Sequence, residues 1–206
     1  MKMKSCIIFL LSFGLALPVL ADENQPVNDE DGQTLSVQID LLPMYGSTPE
    51  YGGWQKTAEE EQADESFLQE SDQIEPNRKL ASLDYIELGW KYIEAEDWET
   101  AMRRANQAWQ LDSQNADVYT LYAAILNMHG VHDESLDMLE RAIDLNPLSV
   151  NLYYIYLSES IDLHQETNDD YRIRRLISML EDVEDTGDEE GMKLQAVKNH
   201  AVSYLQ

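Results

Sequence analysis

The sequence predicts an all-α protein built from stacked, antiparallel helix pairs, and three observations predict it. The first is a repeat. Between residues 82 and 149 large and small apolar residues recur at a spacing of 34: Tyr85, Leu88, Gly89, Tyr92, Ala101, Ala105 and Ala108 are matched by Tyr119, Tyr122, Ala123, Leu126, Ser135, Leu139 and Ala142. A fixed period of this length belongs to solenoids, in which each unit is one supersecondary motif and stacking buries the core. The second is helical spacing within the period. Trp98, Ala101, Met102, Ala105, Ala108 and Trp109 form one apolar stripe, and Val118, Leu121, Tyr122, Ile125 and Leu126 form the next. The third is punctuation: Asp97 is placed to cap a helix, Asp133 to open another, and Asn146-Pro147 to stop it.

In this register the residues resemble the tetratricopeptide-repeat family. The resemblance implies a short right-handed superhelix of antiparallel helix pairs, with the repeat domain at 80–185. Two repeats are clear and a third is degenerate. Tyr153 and Tyr156 keep the repeat positions, but Leu157 stands where close helix contact needs a small residue, and the turn through Gln165–Asp170 is long. Ile173, Leu176, Ile177, Leu180 and Val183 supply the second helix of that pair. A last amphipathic helix within 188–206, carrying Leu194, Val197, Ala201, Tyr204 and Leu205, is expected to cap the array, because a terminal repeat leaves one face bare.

The chain before the repeats divides in two. Lys2 and Lys4 precede the apolar run Cys6–Leu20, and Val19-Leu20-Ala21 ends it with small residues at the cleavage positions. This reads as a signal peptide over 1–21, cut after Ala21, which places the mature protein in the periplasm or outside the cell. Cys6, the single cysteine, leaves with it, so disulfides, thiol nucleophiles and thiolate metal sites are excluded. No later stretch is apolar enough over the roughly 20 residues that a membrane-spanning helix needs. Residues 22–79 hold 15 acidic and 3 basic residues, too much charge and too little apolar surface to offset chain entropy, so most of this segment is expected to stay unfolded. Two parts differ. Leu41-Leu42-Pro43-Met44-Tyr45-Gly46 and Tyr51-Gly52-Gly53-Trp54 cluster aromatic and apolar residues, marking 41–54 as a docking motif. Residues 57–69 read as a short helix lying against the repeats through Phe67 and Leu68.

Charge narrows the partners. A net charge of −26 and a pI near 4.2 exclude nucleic acid and anionic lipid as ligands, since both demand clustered Lys and Arg. The family resemblance implies that the first helix of each pair lines a concave groove through fixed repeat positions. Here these are Leu83, Ile86, Trp90, Ile93 and Glu94, then Asp117, Thr120, Ala124, Asn127 and Met128, then Asn151, Tyr154, Ser158, Ile161 and Asp162. Such a groove is apolar and aromatic with an acidic rim. Family members that clamp a peptide's terminal carboxylate use Lys and Arg at these positions; none occurs here, so that mode is not expected. The expected occupant is an apolar or amphipathic segment of another envelope protein, or the chain's own residues 41–54. An alternative is a polyanionic module that binds cations or basic proteins through charge alone.

Nothing in the sequence suggests an enzyme or a cofactor. His129 and His132 make an HxxH turn that lacks evident further metal ligands. Asn28–Gly32 and Asp182–Gly187 begin like calcium loops, but Gln38 and Lys193 stand where the closing glutamate should be. Arg172, Arg174 and Arg175 form the one basic cluster and are expected to pair internally. No nucleophile–base pair or glycine-rich phosphate loop appears. Met44-Tyr45-Gly46, Ala63–Phe67, Gly89-Trp90 and Ala101–Trp109 together resemble small exported repeat proteins and lipoproteins of Gram-negative bacteria. That resemblance implies export and makes the 44–54 segment part of the design, although the lipidated cysteine several members carry is missing.

Overall fold

A computed structural model describes Gly46 and residues 48–53, 55–183 and 187–205. The expected signal peptide, the acidic stretch before Gly46, and Trp54 lie outside these residues. Among the described residues the chain forms α-helices and no strand. In order they are α1 (Ala58–Ile74), α2 (Arg78–Glu94), α3 (Trp98–Leu111), α4 (Ala116–Met128), α5 (His132–Leu145), α6 (Val150–Thr167), α7 (Tyr171–Asp182) and α8 (Glu189–Ser203). The caps follow from sequence chemistry. Asp97 accepts from the Thr100 amide at 3.1 Å, and Thr57 and Glu60 make a reciprocal capping box at the start of α1. Helix α5 begins one residue earlier than expected, at His132 and without a side-chain cap; Asp133 instead lies in the first turn, where its charge suits the helix dipole.

Helices α2 with α3, and α4 with α5, pack as close pairs. The contact is close because repeat positions hold small residues: Ala101, Ala105, Ala108, Ala123, Ser135 and Ala142 are all buried. Gly89 shows the constraint most sharply, since a Cβ there would meet Leu121 Cδ2 at 2.5 Å. Where Leu157 replaces the small residue, the third pair opens, and α8 packs across α6 and α7 through buried Leu194, Val197 and Ala201. Helix α7 is tied back to α5 by ion pairs of Arg172 with Asp133, Asp137 and Glu140, and of Arg175 with Glu140.

Buried tyrosines join one pair to the next in a pattern that itself repeats. Tyr119 donates to the Ser113 carbonyl at 2.9 Å, and Tyr153, one period later, donates to the Pro147 carbonyl at 3.0 Å. Tyr122 donates to Asn106 Oδ1 at 2.7 Å, and Tyr156 donates to Glu140 Oε1 at 2.9 Å. Burial pushes both of the latter phenols above their usual range, so they remain donors at any ordinary pH.

At the first of these seams the N-terminal segment closes the network. Asn106, fully buried on α3, donates through Nδ2 to the carbonyls of Gly46 (3.2 Å) and Thr48 (3.0 Å). Its Oδ1 accepts from the Tyr51 amide (3.4 Å) as well as from Tyr122. Both donors and both lone pairs of the amide are used. The Glu50 amide donates to Tyr122 Oη at 3.2 Å, and the Glu50 carboxylate pairs with Arg141 of α5. Glu50, Tyr51, Gly52 and Gly53 all have positive φ, between 53° and 74°. A left-handed backbone costs an L-residue about 1–2 kcal/mol, so Glu50 and Tyr51 hold it only because this network offsets the strain. The expectation that residues 41–54 fill the concave groove is therefore corrected for the part described. The segment binds through Asn106, Tyr122 and Arg141, and Tyr122 points about 200° around α4 from the groove position Thr120.

Two substitutions test these contacts. Gly89→Ala gains roughly 1 kcal/mol of helix propensity but should lose more by displacing Leu121, for a net loss on the order of 1–2 kcal/mol in urea unfolding. In a Leu121→Ala background the same change should become neutral or stabilising; an equal loss in both backgrounds would place the strain elsewhere. Asn106→Ala strands buried partners on both sides and should destabilise by about 2–3 kcal/mol, with faster amide exchange at Glu50 and Tyr51.

Candidate functional site

Four large apolar side chains expected to line the groove are exposed on α2, α4 and α6, the first helices of the pairs; Leu80 of α2 and Tyr171 of α7 are exposed as well, outside the groove positions. Leu83 is 46% exposed, Trp90 37%, Met128 53% and Tyr154 45%. Trp90 and Tyr154 are thus partly covered by neighbouring helices and partly open. Ile86, 6% exposed, does pack inward and supports the face from beneath. Ile93 and Ile161 are half-buried against the core, and Thr120, also half-buried, returns its hydroxyl to the Ala116 carbonyl at 3.2 Å. Glu94, Asp117, Asn151, Ser158 and Asp162 are exposed around the apolar positions.

The electrostatics of this face are one-signed. The groove positions include Glu94, Asp117 and Asp162 but no lysine or arginine. Beside them, Asp84 is held above the usual carboxylate range by partial burial and by the charges of Glu87 and Glu75. Lys91, the nearest cation in sequence to Trp90, pairs with Glu87 at 2.8 Å.

Asn127 lies at a groove position but is committed inward. Its Oδ1 is 2.9 Å from His132 Nδ1, and its side chain lies close enough to Glu159 to favour that carboxyl's ionised form. Glu159 of α6 is 7% exposed and lies 2.7 Å from Ser135 Oγ, which is itself 2.8 Å from the Ala123 carbonyl. Burial, set against the opposing effects of Ser135 and Asn127, pushes the Glu159 carboxyl up to about 7. This network, like the Asn106 network on the other side, was not singled out by sequence reasoning. A signal was present in both cases: Glu159 is three residues past Tyr156, and Asn106 four past Met102, so each falls on the buried arc of its helix.

The HxxH turn divides. His132 joins the Asn127 network with Nε2 3.9 Å from Glu166, whereas His129 stands edge-on to Trp98 at 5.9 Å. Among the described residues no group of three or more His, Cys, Asp or Glu is arranged to hold a metal ion. The described helices also include none long and apolar enough to cross a membrane.

No family model and no curated protein matches this chain. Solved structures do resemble it. An Arabidopsis OM64 TPR domain is 14% identical with a TM-score of 0.41, covering 62% of this chain and 98% of that one. The TPR2B domain of yeast Sti1, solved as a complex with pHsp70, is 15% identical with a TM-score of 0.43, covering 61% and 98%. MamA is 16% identical with a TM-score of 0.41, covering 73% and 91%. The chain is similar to these domains, and its own register and helix pairing describe an all-α array of antiparallel helix pairs.

Proposed function

We propose that this chain is a non-catalytic adaptor of the cell envelope that holds a segment of another protein against the face of α2, α4 and α6. The observation that carries the reading is the exposure of Leu83, Trp90, Met128 and Tyr154 on successive first helices, inside a rim of Glu94, Asp117 and Asp162. Aromatic and Met side chains that are exposed yet backed by a packed core make adaptable burial sites. The acidic rim selects the flanks of the occupant, so the fitting partner is an amphipathic segment with an apolar face and Lys or Arg beside it. Envelope location rests on the Lys2–Ala21 pattern, and mass spectrometry of the exported protein should find a mature chain starting at Asp22.

The binding test uses the mature chain and two synthetic helices with one Leu/Phe face, flanked by Lys in one and by Glu in the other. The Lys-flanked peptide should bind, the Glu-flanked one should not, and Trp90→Ala with Tyr154→Ala should weaken binding by roughly tenfold or more. Equal affinity for a folded double variant removes the face assignment. Raising salt from 0.15 to 0.5 M, which shortens the Debye length from about 8 Å, should change the affinity only a few-fold. A collapse in salt would favour the polyanionic module instead.

A further inference from the structure

We propose that Glu159 and Ser135 form a proton-operated latch between the second and third helix pairs, closed when Glu159 is protonated and loosened when it ionises. The geometry makes a proton count. Ser135 Oγ sits 2.8 Å from the Ala123 carbonyl and 2.7 Å from Glu159 Oε2, yet a hydroxyl has one hydrogen. If that hydrogen goes to the carbonyl, the second short contact is a hydrogen bond only when Glu159 carries a proton and donates it to Oγ. In that state α4, α5 and α6 are joined in one unbroken chain: Glu159 to Ser135 to Ala123. Ionised, Glu159 must take the Ser135 hydrogen for itself. The link to α4 through Ala123 is then lost, and a charge is left in the seam.

The surroundings favour the closed form. From α5 the groups facing Glu159 are Ser135 and, through Asn127, His132; from α4 there is the neutral Asn127; on α6 itself Asp162 adds a like charge. Glu166, further along α6, faces His132 rather than Glu159. The cations of the neighbouring helices are engaged elsewhere: Arg172 and Arg175 of α7 with Asp133, Asp137 and Glu140, and Lys198 of α8 with Glu181. Burial without a cation holds the proton on Glu159 up to about 7, against 4.5 for a free side chain. The sign follows. Between those values the folded chain binds a proton that the unfolded chain has released, so stability falls as pH rises through this window and levels off above it.

Asn151, Tyr154 and Ser158 stand on α6, so the latch governs how firmly one wall of the proposed binding face is held. The inference adds regulation to that face, but its test needs no ligand and can fail by itself. Uniformly folded mature protein with ¹³C-labelled glutamate is titrated from pH 5 to 8 by NMR, and amide exchange over 150–163 is followed across the same range. The Glu159 carboxyl should titrate near neutrality, and exchange, corrected for intrinsic rates, should rise roughly tenfold toward pH 8. Glu159→Gln, which mimics the protonated acid, should abolish that rise and keep α6 protected at pH 8. Asp162→Asn, at an exposed position, should lower the midpoint by removing the like charge, and it serves if the first variant does not fold. A Glu159 midpoint below 5, or an unchanged pH response in Glu159→Gln, overturns the latch.

Discussion

The interaction on which the rest of the stack depends is the buried tyrosine hydroxyl at each seam. Tyr122 and Tyr156 are fully buried, and a phenol left without an acceptor there would cost about 1–3 kcal/mol. Each therefore dictates an acceptor on the helix before it, and the acceptors, Asn106 and Glu140, stand one period apart. What differs is the chemistry left over. Asn106 retains two N–H donors and captures the backbone carbonyls of Gly46 and Thr48. Glu140 retains negative charge and captures the guanidinium groups of Arg172 and Arg175. One geometric demand, met by two residue types, thus decides that a peptide segment covers the first seam and a helix covers the second.

Small residues set the second constraint. Gly89 against Leu121 brings α2 and α4 together, and Ala123 with Ser135 does the same for α4 and α5. Leu157 ends this sequence of small contacts, and the third pair spreads enough for α8 to become part of its core. Glu159 lies at the neighbouring junction, between the second and third pairs, where it meets Ser135 of α5. A buried acid is tolerated where hydroxyl and amide partners are supplied, which Ser135 and Asn127 do.

How legible this was in the sequence depends on which force acted. Helix pairing was legible, because Ala101, Ala105 and Ala108 recur by period and apolar spacing reports directly on burial. The cap at Asp97, the degenerate third pair and the contact of Phe67 with the repeats through Tyr85 were legible for the same local reasons. The place where residues 46–53 dock was not. Their aromatic and glycine content signals a docking segment, but the surface that receives it is defined by Asn106, Tyr122 and Arg141, which converge only after three helices have packed. Glu159 was hidden differently: in a chain with 40 acidic residues, one more glutamate carries no signal until its position on the helix wheel is weighed. Asn127 shows the converse: its register made it an expected groove residue, while its side chain turns to His132.

The excess of acid gives these features a common direction. Most cations that the structure describes are bound within the chain: Arg78 to Asp72, Arg103 to Glu99, Arg141 to Glu50, Arg174 to Asp170, and Arg172 and Arg175 to α5. Pairs at the surface contribute little stability individually, roughly 0–1 kcal/mol. Their larger effect is to leave the outward field negative, because 40 acidic residues stand against 14 basic ones, a formal charge of −26. In the proposed reading that field would attract a basic segment to the rim at Glu94, Asp117 and Asp162, and it also discourages ionisation of Glu159. A cation brought to Asp162 by such a segment would remove one of the charges that keeps the proton on Glu159. Linkage then requires the converse: loss of that proton strengthens the hold on the cation by the same factor. If α2, α4 and α6 bind a basic segment as proposed, that face and the buried acid are coupled through Asp162, without any contact between the ligand and Glu159 itself.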